Sequence, residues 1–432
     1  MVASLPFLTS YDPAGTSEGT LDPLGLYQIA DQLAVQLVPA VRERMQRIRF
    51  LTAMAVGALI TEDLPDNPEV RDASPYLVWE WLVVEALMRA KADGEEILGI
   101  PGSKVAQRAL KQHGYLDARS YLKTPRIFGF HGVYKRLAIR LGLVNIHLGC
   151  AKNTEALVDA WSRTIGLSGL AEAKGLLISW RRELERCLKE KPPRSRPNWT
   201  FKDWSELAYA LSPDRCRSYE RRYLRTLLLD NNDRRLGVLP TIWQIISEIG
   251  AEELPEESLH DLLEKHEPAY ASLLNAIRSY EAFARSLQDA FDVLRAEATS
   301  VDARGFQVTD IANEPDFKQS VKDLHKRFET AHTALGDVAT VNTSSQSVFD
   351  TRFSVFADQL DPGACAIALC THHENVQRVK SAAGKRPWFD RLGRDRIYIR
   401  HAYRIKKPDI HPNRYLHDYR CVPIRRFYND LT

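Results

Sequence analysis

The chain has 432 residues, 44% hydrophobic and 27% charged, which supports two or three domains with their own cores and excludes a disordered protein. A formal net charge of only +3 neither requires nor excludes a polyanionic partner, so local charge has to decide. Six cysteines, none in a C-x-x-C pair, exclude a disulfide framework and read as reduced thiols.

At the N-terminus, MVASLPFLTSYDPAG lacks the basic n-region and cleavage pattern of a signal peptide and carries no lipidation motif. A cytoplasmic protein is expected. The stretch from Asp22 to Asp63 predicts two helices broken near Pro39. Its longest apolar run, FLTAMAVGALI at 50–60, is too short to cross a bilayer, which takes roughly 20 residues, so no membrane partner is expected and the run reads as a buried helix. Leu33, Leu37, Phe50, Met54 and Leu59 suit packing against a helix over 74–96, capped at Ser74 with Pro75 in its first turn. Trp79, Trp81 and Leu82 on that helix read as core.

Residues 101–148 predict a short helix from an N-cap at Ser103 to a stop at Gly114, a second short segment, and a third helix whose apolar face is Val133, Tyr134, Leu137, Ala138 and Leu141. Gly142 ends it, and Leu143–Leu148 suit a strand. Three helices followed by a strand match a winged helix-turn-helix, whose recognition helix exposes Lys135, Arg136 and Arg140 for phosphate and guanine contacts. A merely solvated amphipathic helix fits the same residues.

A helix over 170–189 runs into KEKPPRSRPNW, where three prolines and several basic residues break the pattern; this marks an interdomain linker at 190–200. Beyond it lie further amphipathic helices and two long ones, over 268–298 and 315–337. In the first of these Tyr270, Leu273, Leu274, Ile277, Tyr280, Phe283, Leu287, Phe291 and Leu294 keep a three-to-four spacing, the pattern of a helical hairpin. The fold expected is mainly α and multi-domain: an N-terminal helical domain over 1–189, a helical domain over 201–375, and a small basic α+β segment over 376–432.

That last segment holds fifteen Lys and Arg against five Asp, ten net positive charges, and so leaves seven net negative on the rest of the chain. RIYIRHAYRI at 396–405 alternates with period two. Ile397, Ile399, His401, Tyr403 and Ile405 fall on one face and Arg396, Tyr398, Arg400, Ala402 and Arg404 on the other. NRYLHDYRC at 413–421, read as a strand, places Tyr415, His417 and Tyr419 together beneath it. With Lys385 and Arg386 of the turn SAAGKRPW, the residues Arg396, Arg400 and Arg404 form a candidate nucleic-acid surface, DNA being the expected partner. The competing reading docks this basic tail on an acidic surface of the chain or of a partner.

Two further readings, a metal site and a nuclease, draw on residues of the same region. Cys365, Cys370, His372 and His373, or His411, His417 and Cys421, lack the paired short spacing that zinc favours, so no metal and no cofactor is expected. Asp409, His411, His417 and Asp418 supply groups for a nuclease of unfamiliar type, but no P-loop, G-x-S-x-G or H-E-x-x-H motif accompanies them.

LDPLGLYQIADQLAVQLVPAVRERMQRIRFLTAMAVG at 21–57 and HENVQRVKSAAGKRPWF at 373–389 together resemble an uncharacterised group of bacterial proteins met in phage-defence gene neighbourhoods. In that group an LDPLG stretch precedes an R-x-R segment, here Arg47–Thr52, leading into an apolar helix. The resemblance implies context rather than an active site: a bacterial antiviral protein working beside an ATPase, helicase or nuclease.

Overall fold

A computed structural model describes residues 22–65, 73–122, 125–230, 234–250, 254–301, 304–338, 345–380, 385–393 and 395–432. Residues 1–21, on which the targeting expectation rests, and 381–384 of the basic turn lie outside them. The chain is mainly α-helical. Among the described residues its helices are α1 (Tyr27–Leu37), α2 (Phe50–Ile60), α3 (Pro75–Ala92), α4 (Ser103–His113), α5 (Pro125–Phe128), α6 (Phe130–Arg140), α7 (Thr154–Thr164), α8 (Leu170–Lys189), α9 (Phe201–Leu211), α10 (Ser218–Leu229), α11 (Leu239–Ile249), α12 (Glu256–His266), α13 (Ala271–Ser300), α14 (Pro315–Val321), α15 (Leu324–Asp337), α16 (Ser345–Phe353), α17 (Pro362–Val379) and α18 (Cys421–Leu431). Strands β1 (Phe306–Gln307), β2 (Phe389–Arg391) and β3 (Arg396–Ile399) form one antiparallel sheet in the order β1-β3-β2. No helix among the described residues is long and apolar enough to cross a membrane.

Two compact units share the chain, and they do not follow its order. Unit 1 takes residues up to Leu33 with Pro255–Glu264 and Pro268–His417; unit 2 takes Ala34–Leu254, Lys265–Glu267 and Asp418–Thr432. The proline-rich stretch 190–200, expected as a linker between domains, lies within unit 2. Ser195 there is buried, its N–H donating to Leu116 O (2.9 Å) and its Oγ accepting from Leu116 N–H (2.7 Å). Prolines interrupt the helix, but the freed backbone pairs with the loop after α4 instead of with solvent.

In unit 2 the buried helix α2 packs against α3, α6, α7, α8 and α9, and the close approach has a local cause. Gly57 leaves room for the Trp79 indole, whose Nε1–H donates to Ala53 O (3.0 Å); a Cβ at Gly57 would stand 2.4 Å from the ring. Trp79, Trp81 and Leu82 are core, as their spacing predicts. At the start of α6 the buried Glu80 carboxylate accepts from the His131 N–H (2.9 Å) and meets its Nδ1 (2.6 Å), and a Cβ at Gly129 would collide with that carboxylate. Glu80 therefore does the N-terminal capping that no side chain adjacent in sequence does.

Helices α4 and α6 stand where predicted, with Gly114 and Gly142 in left-handed conformations at the stops, but the second short segment forms turns over 117–122 and the one-turn helix α5 comes after it. The wing is absent. Residues 143–148 are turns, because Asn145 Oδ1 accepts from His147 N–H (2.8 Å) and Gly149 N–H (3.0 Å) and so curls the chain that a strand would need extended.

In unit 1, α13 runs for 30 residues and most of its surface is covered. The second long helix expected over 315–337 is two helices, α14 and α15, divided at Asp323, whose φ is +55°. Both pack on α13, where Phe283 meets Phe328, Phe349 and Phe353 at ring separations of 5.9, 5.0 and 5.3 Å. Gly57→Ala is expected to destabilise unit 2 by about 1–3 kcal/mol through overpacking against Trp79, despite alanine's better helix propensity; denaturant titration followed by tryptophan fluorescence measures it.

Candidate nucleic-acid interface

Strand β3 is shorter than its alternating pattern predicts, stopping at Ile399. A 3-10 turn, His401–Tyr403, follows it and reverses the course of the chain. The stop has an energetic basis in α13: Arg295 Nε donates to Tyr403 O (3.1 Å), and its guanidinium lies over the Trp388 ring (5.0 Å), which stacks on Tyr403 (4.7 Å). Ordering by these charged and aromatic contacts outcompetes continuing the central strand through 400–405. Likewise 413–421 is not a strand. The buried Glu281 accepts from the N–H groups of Leu416 and His417, and Arg285 donates to the carbonyls of Arg414 (3.0 Å) and Tyr415 (2.9 Å). The tail's backbone is thereby satisfied by side chains, not by a neighbouring strand.

Within the sheet, alternation does what the sequence predicts. Ile397 and Ile399 are buried on the inner face, while Arg396 and Tyr398 point outward. Register sets Asp390 of β2 opposite Tyr398 and Gln307 of β1 opposite Arg396. Around this outer face four of the expected cations gather. Arg396 Nε donates to Gln307 Oε1 (3.2 Å). Arg400 Nη2 donates to Asp390 Oδ1 (2.8 Å), and Arg386 Nη2 stands 4.0 Å from the same oxygen. Arg404, carried back by the 3-10 turn, donates to Ile399 O (3.2 Å) and to the Tyr398 hydroxyl, with its guanidinium 4.9 Å above that ring. The linear row of Arg396, Arg400 and Arg404 at strand spacing is thus replaced by a cluster. Asp390 binds two of its members; it lies in β2, whose three residues are too few to show a period in the sequence.

The remaining expected residues are placed elsewhere. Lys385 is half-buried at the start of the described part of the turn, where its N–H donates to Gln377 O (2.9 Å). On α6 in unit 2, Arg136 and Arg140 are exposed and Lys135 is half-buried, while Arg140 Nε donates to Arg235 O (2.8 Å). That helix retains its cations without the wing that would seat it beside a groove.

No family model, curated protein or solved structure matches the chain. Geometry alone therefore ranks the remaining readings. His372 Nε2 lies 2.8 Å from Leu24 O, and His373 holds the 22–25 stretch to α17 and β2 together: its Nε2 accepts from the Trp388 N–H (2.9 Å), so the proton sits on Nδ1 and is donated to Pro23 O (2.9 Å). The two histidines weighed as zinc ligands direct ring nitrogens at backbone instead. Of the groups weighed for a nuclease, Asp409 pairs with its neighbour His411 (2.8 Å), His417 lies on Glu281 (2.7 Å), and Asp418 belongs to unit 2.

Burial pushes His373 down to about 3, below its ordinary 6.5. The unfolded chain then takes up a proton that the folded one refuses, so this contribution to unit 1 is complete above about pH 6.5 and is lost as pH falls toward 3. His373→Gln should flatten the acid limb of a stability–pH curve over that interval; an unchanged limb would contradict the assignment.

Proposed function

We propose that the protein is a non-catalytic subunit that associates with DNA through the outer face of the β1-β3-β2 sheet. The observation that carries this reading is the gathering of Arg386, Arg396, Arg400 and Arg404 about Tyr398, with Asp390 as the carboxylate bound to two of them. Guanidiniums fixed by hydrogen bonds to Gln307, Ile399 and Tyr398 keep further N–H donors for phosphate oxygens and lose little side-chain freedom on binding. The half-buried Tyr398 ring beside them suits a sugar or the edge of an unstacked base. Recognition by such a face is independent of sequence and strongly dependent on salt. The role within a bacterial antiviral complex, beside an ATPase, helicase or nuclease, rests on the resemblance of the chain's two ends to the defence-associated group.

The competing reading, in which the basic tail is a staple, is served by different residues. Glu281, Arg285 and Arg295 of α13 hold the tail through its backbone, so the outer arginines are not needed for that purpose.

Two variants test the proposal with opposite signs. Arg386→Ala with Arg396→Ala should weaken duplex binding about tenfold at low salt and reduce the slope of log K against log salt by about 1.8, two contacts at roughly 0.9 each, with Tm unchanged. Asp390→Asn removes the counter-charge and should tighten binding. Duplex affinity that is unaltered in both variants would sink the reading.

A further inference from the structure

We infer that unit 2 carries a separate site for a single nucleotide, in a cleft between α3 and the start of α9. The cleft measures about 580 Å³, within the ordinary range for small-molecule sites, and its walls include Arg89, Asp93, Arg196, Trp199, Phe201 and Trp204. Nothing in the arginine face of unit 1 bears on it.

Three features give the cleft its chemistry. The first is a fixed cation. Arg89 is held by the buried Glu85, whose Oε1 accepts from Nε (2.9 Å) and Nη2 (2.6 Å), and Nη2 also reaches Gly114 O (3.3 Å). The guanidinium lies 4.9 Å over the Trp204 ring, and its side chain is still 43% exposed, which leaves Nη1 for an anion. Glu85 is itself held by the Ser195 hydroxyl, so the proline-rich loop locks the cation from behind. The second is an exposed charge beside it. Arg196 is exposed, rests on Tyr115 (4.6 Å), and has no ion pair among the described residues. The third is an aromatic wall that folding does not require. Phe201 is 71% exposed at the first position of α9, and Trp199 stands edge-on to the buried Trp204 at 4.8 Å, only half covered.

A ligand that satisfies all three has a planar ring for Phe201 and Trp199 and an anionic group for Arg89 and Arg196. Stacking on such side chains favours any base, since every base has a π-face, and a phosphate engages two guanidiniums better than any neutral group does. Asp93, at the same rim, suits sugar hydroxyls and disfavours a second anion there. A nucleoside monophosphate has this composition, whether free or as the last residue of a strand.

The test is quenching of intrinsic tryptophan fluorescence in the Arg386→Ala/Arg396→Ala background, which weakens the unit 1 face, so that any loss on further substitution in the cleft reports on the cleft alone. Adenosine monophosphate and a short single-stranded oligonucleotide are titrated, with inorganic phosphate and adenosine as partial ligands. Saturable quenching by the mononucleotide or the oligonucleotide is expected, weakened about tenfold or more by Arg196→Ala and again by Phe201→Ala, both exposed positions whose replacement leaves Tm unchanged. The tighter of the two probes tells a free nucleotide from a strand end. No saturable quenching by either at millimolar concentration, or quenching indifferent to both substitutions, overturns the inference.

Discussion

The C-terminal part of unit 1 has little regular secondary structure, and three buried or half-buried charges on α13 make that tolerable. Glu281 accepts two tail N–H groups, Arg285 donates to two tail carbonyls, and Arg295 donates to a third while covering Trp388. Each bond has one ionised partner in a poorly solvated setting, where such bonds are roughly twice as strong as neutral ones. They replace the ladder that a longer sheet would have provided. Without them the chain after Ile399 would have no reason to turn back, and Arg404 would not lie over Tyr398.

A second constraint ties the start of unit 1 to the same place. His373 bridges the carbonyl of Pro23 and the N–H before β2, and Arg352 donates to Gly25 O (2.5 Å). The two stretches that carry the resemblance, 21–57 and 373–389, meet here: Pro23 and Leu24 lie on α17 through its paired histidines. The R-x-R segment has an equally structural explanation in unit 2. Arg47 pairs with Asp430 (2.6 Å), and Arg49 and Thr52 converge on the buried Glu220. Breaking a buried pair of this kind leaves an uncompensated charge, which explains residues that look functional in a one-dimensional reading.

Helices were legible because their signals are local. Gly114 and Gly142 stop α4 and α6, the apolar period of α13 is unbroken, and Trp79 and Trp81 sit on a helix buried on all sides over most of its length. What escaped was long-range. The proline-rich break at 190–200 looks like a linker because prolines cannot continue a helix, yet its backbone partner, Leu116, lies far back in sequence. Period-two alternation over 396–405 placed Arg396 and Tyr398 outward correctly up to Ile399 and then failed, since the turn after it is set by Arg295 on another element. Zinc-like spelling around His372 concealed two histidines facing carbonyls. The nucleotide-sized cleft was invisible for the same reason: Arg89 and Trp204 come together only once α3 and α9 pack.

On the function proposed above, α13 holds the tail so that the sheet's outer face is left to meet phosphate. Backbone hydrogen exchange, followed with and without a short duplex at low salt, tests it most directly. Slowed exchange confined to the peptides covering β2, β3 and the turn to Arg404, and reversed by raising the salt, is the predicted result. Exchange in those peptides unchanged by saturating duplex, with protection appearing elsewhere in the chain, would contradict it.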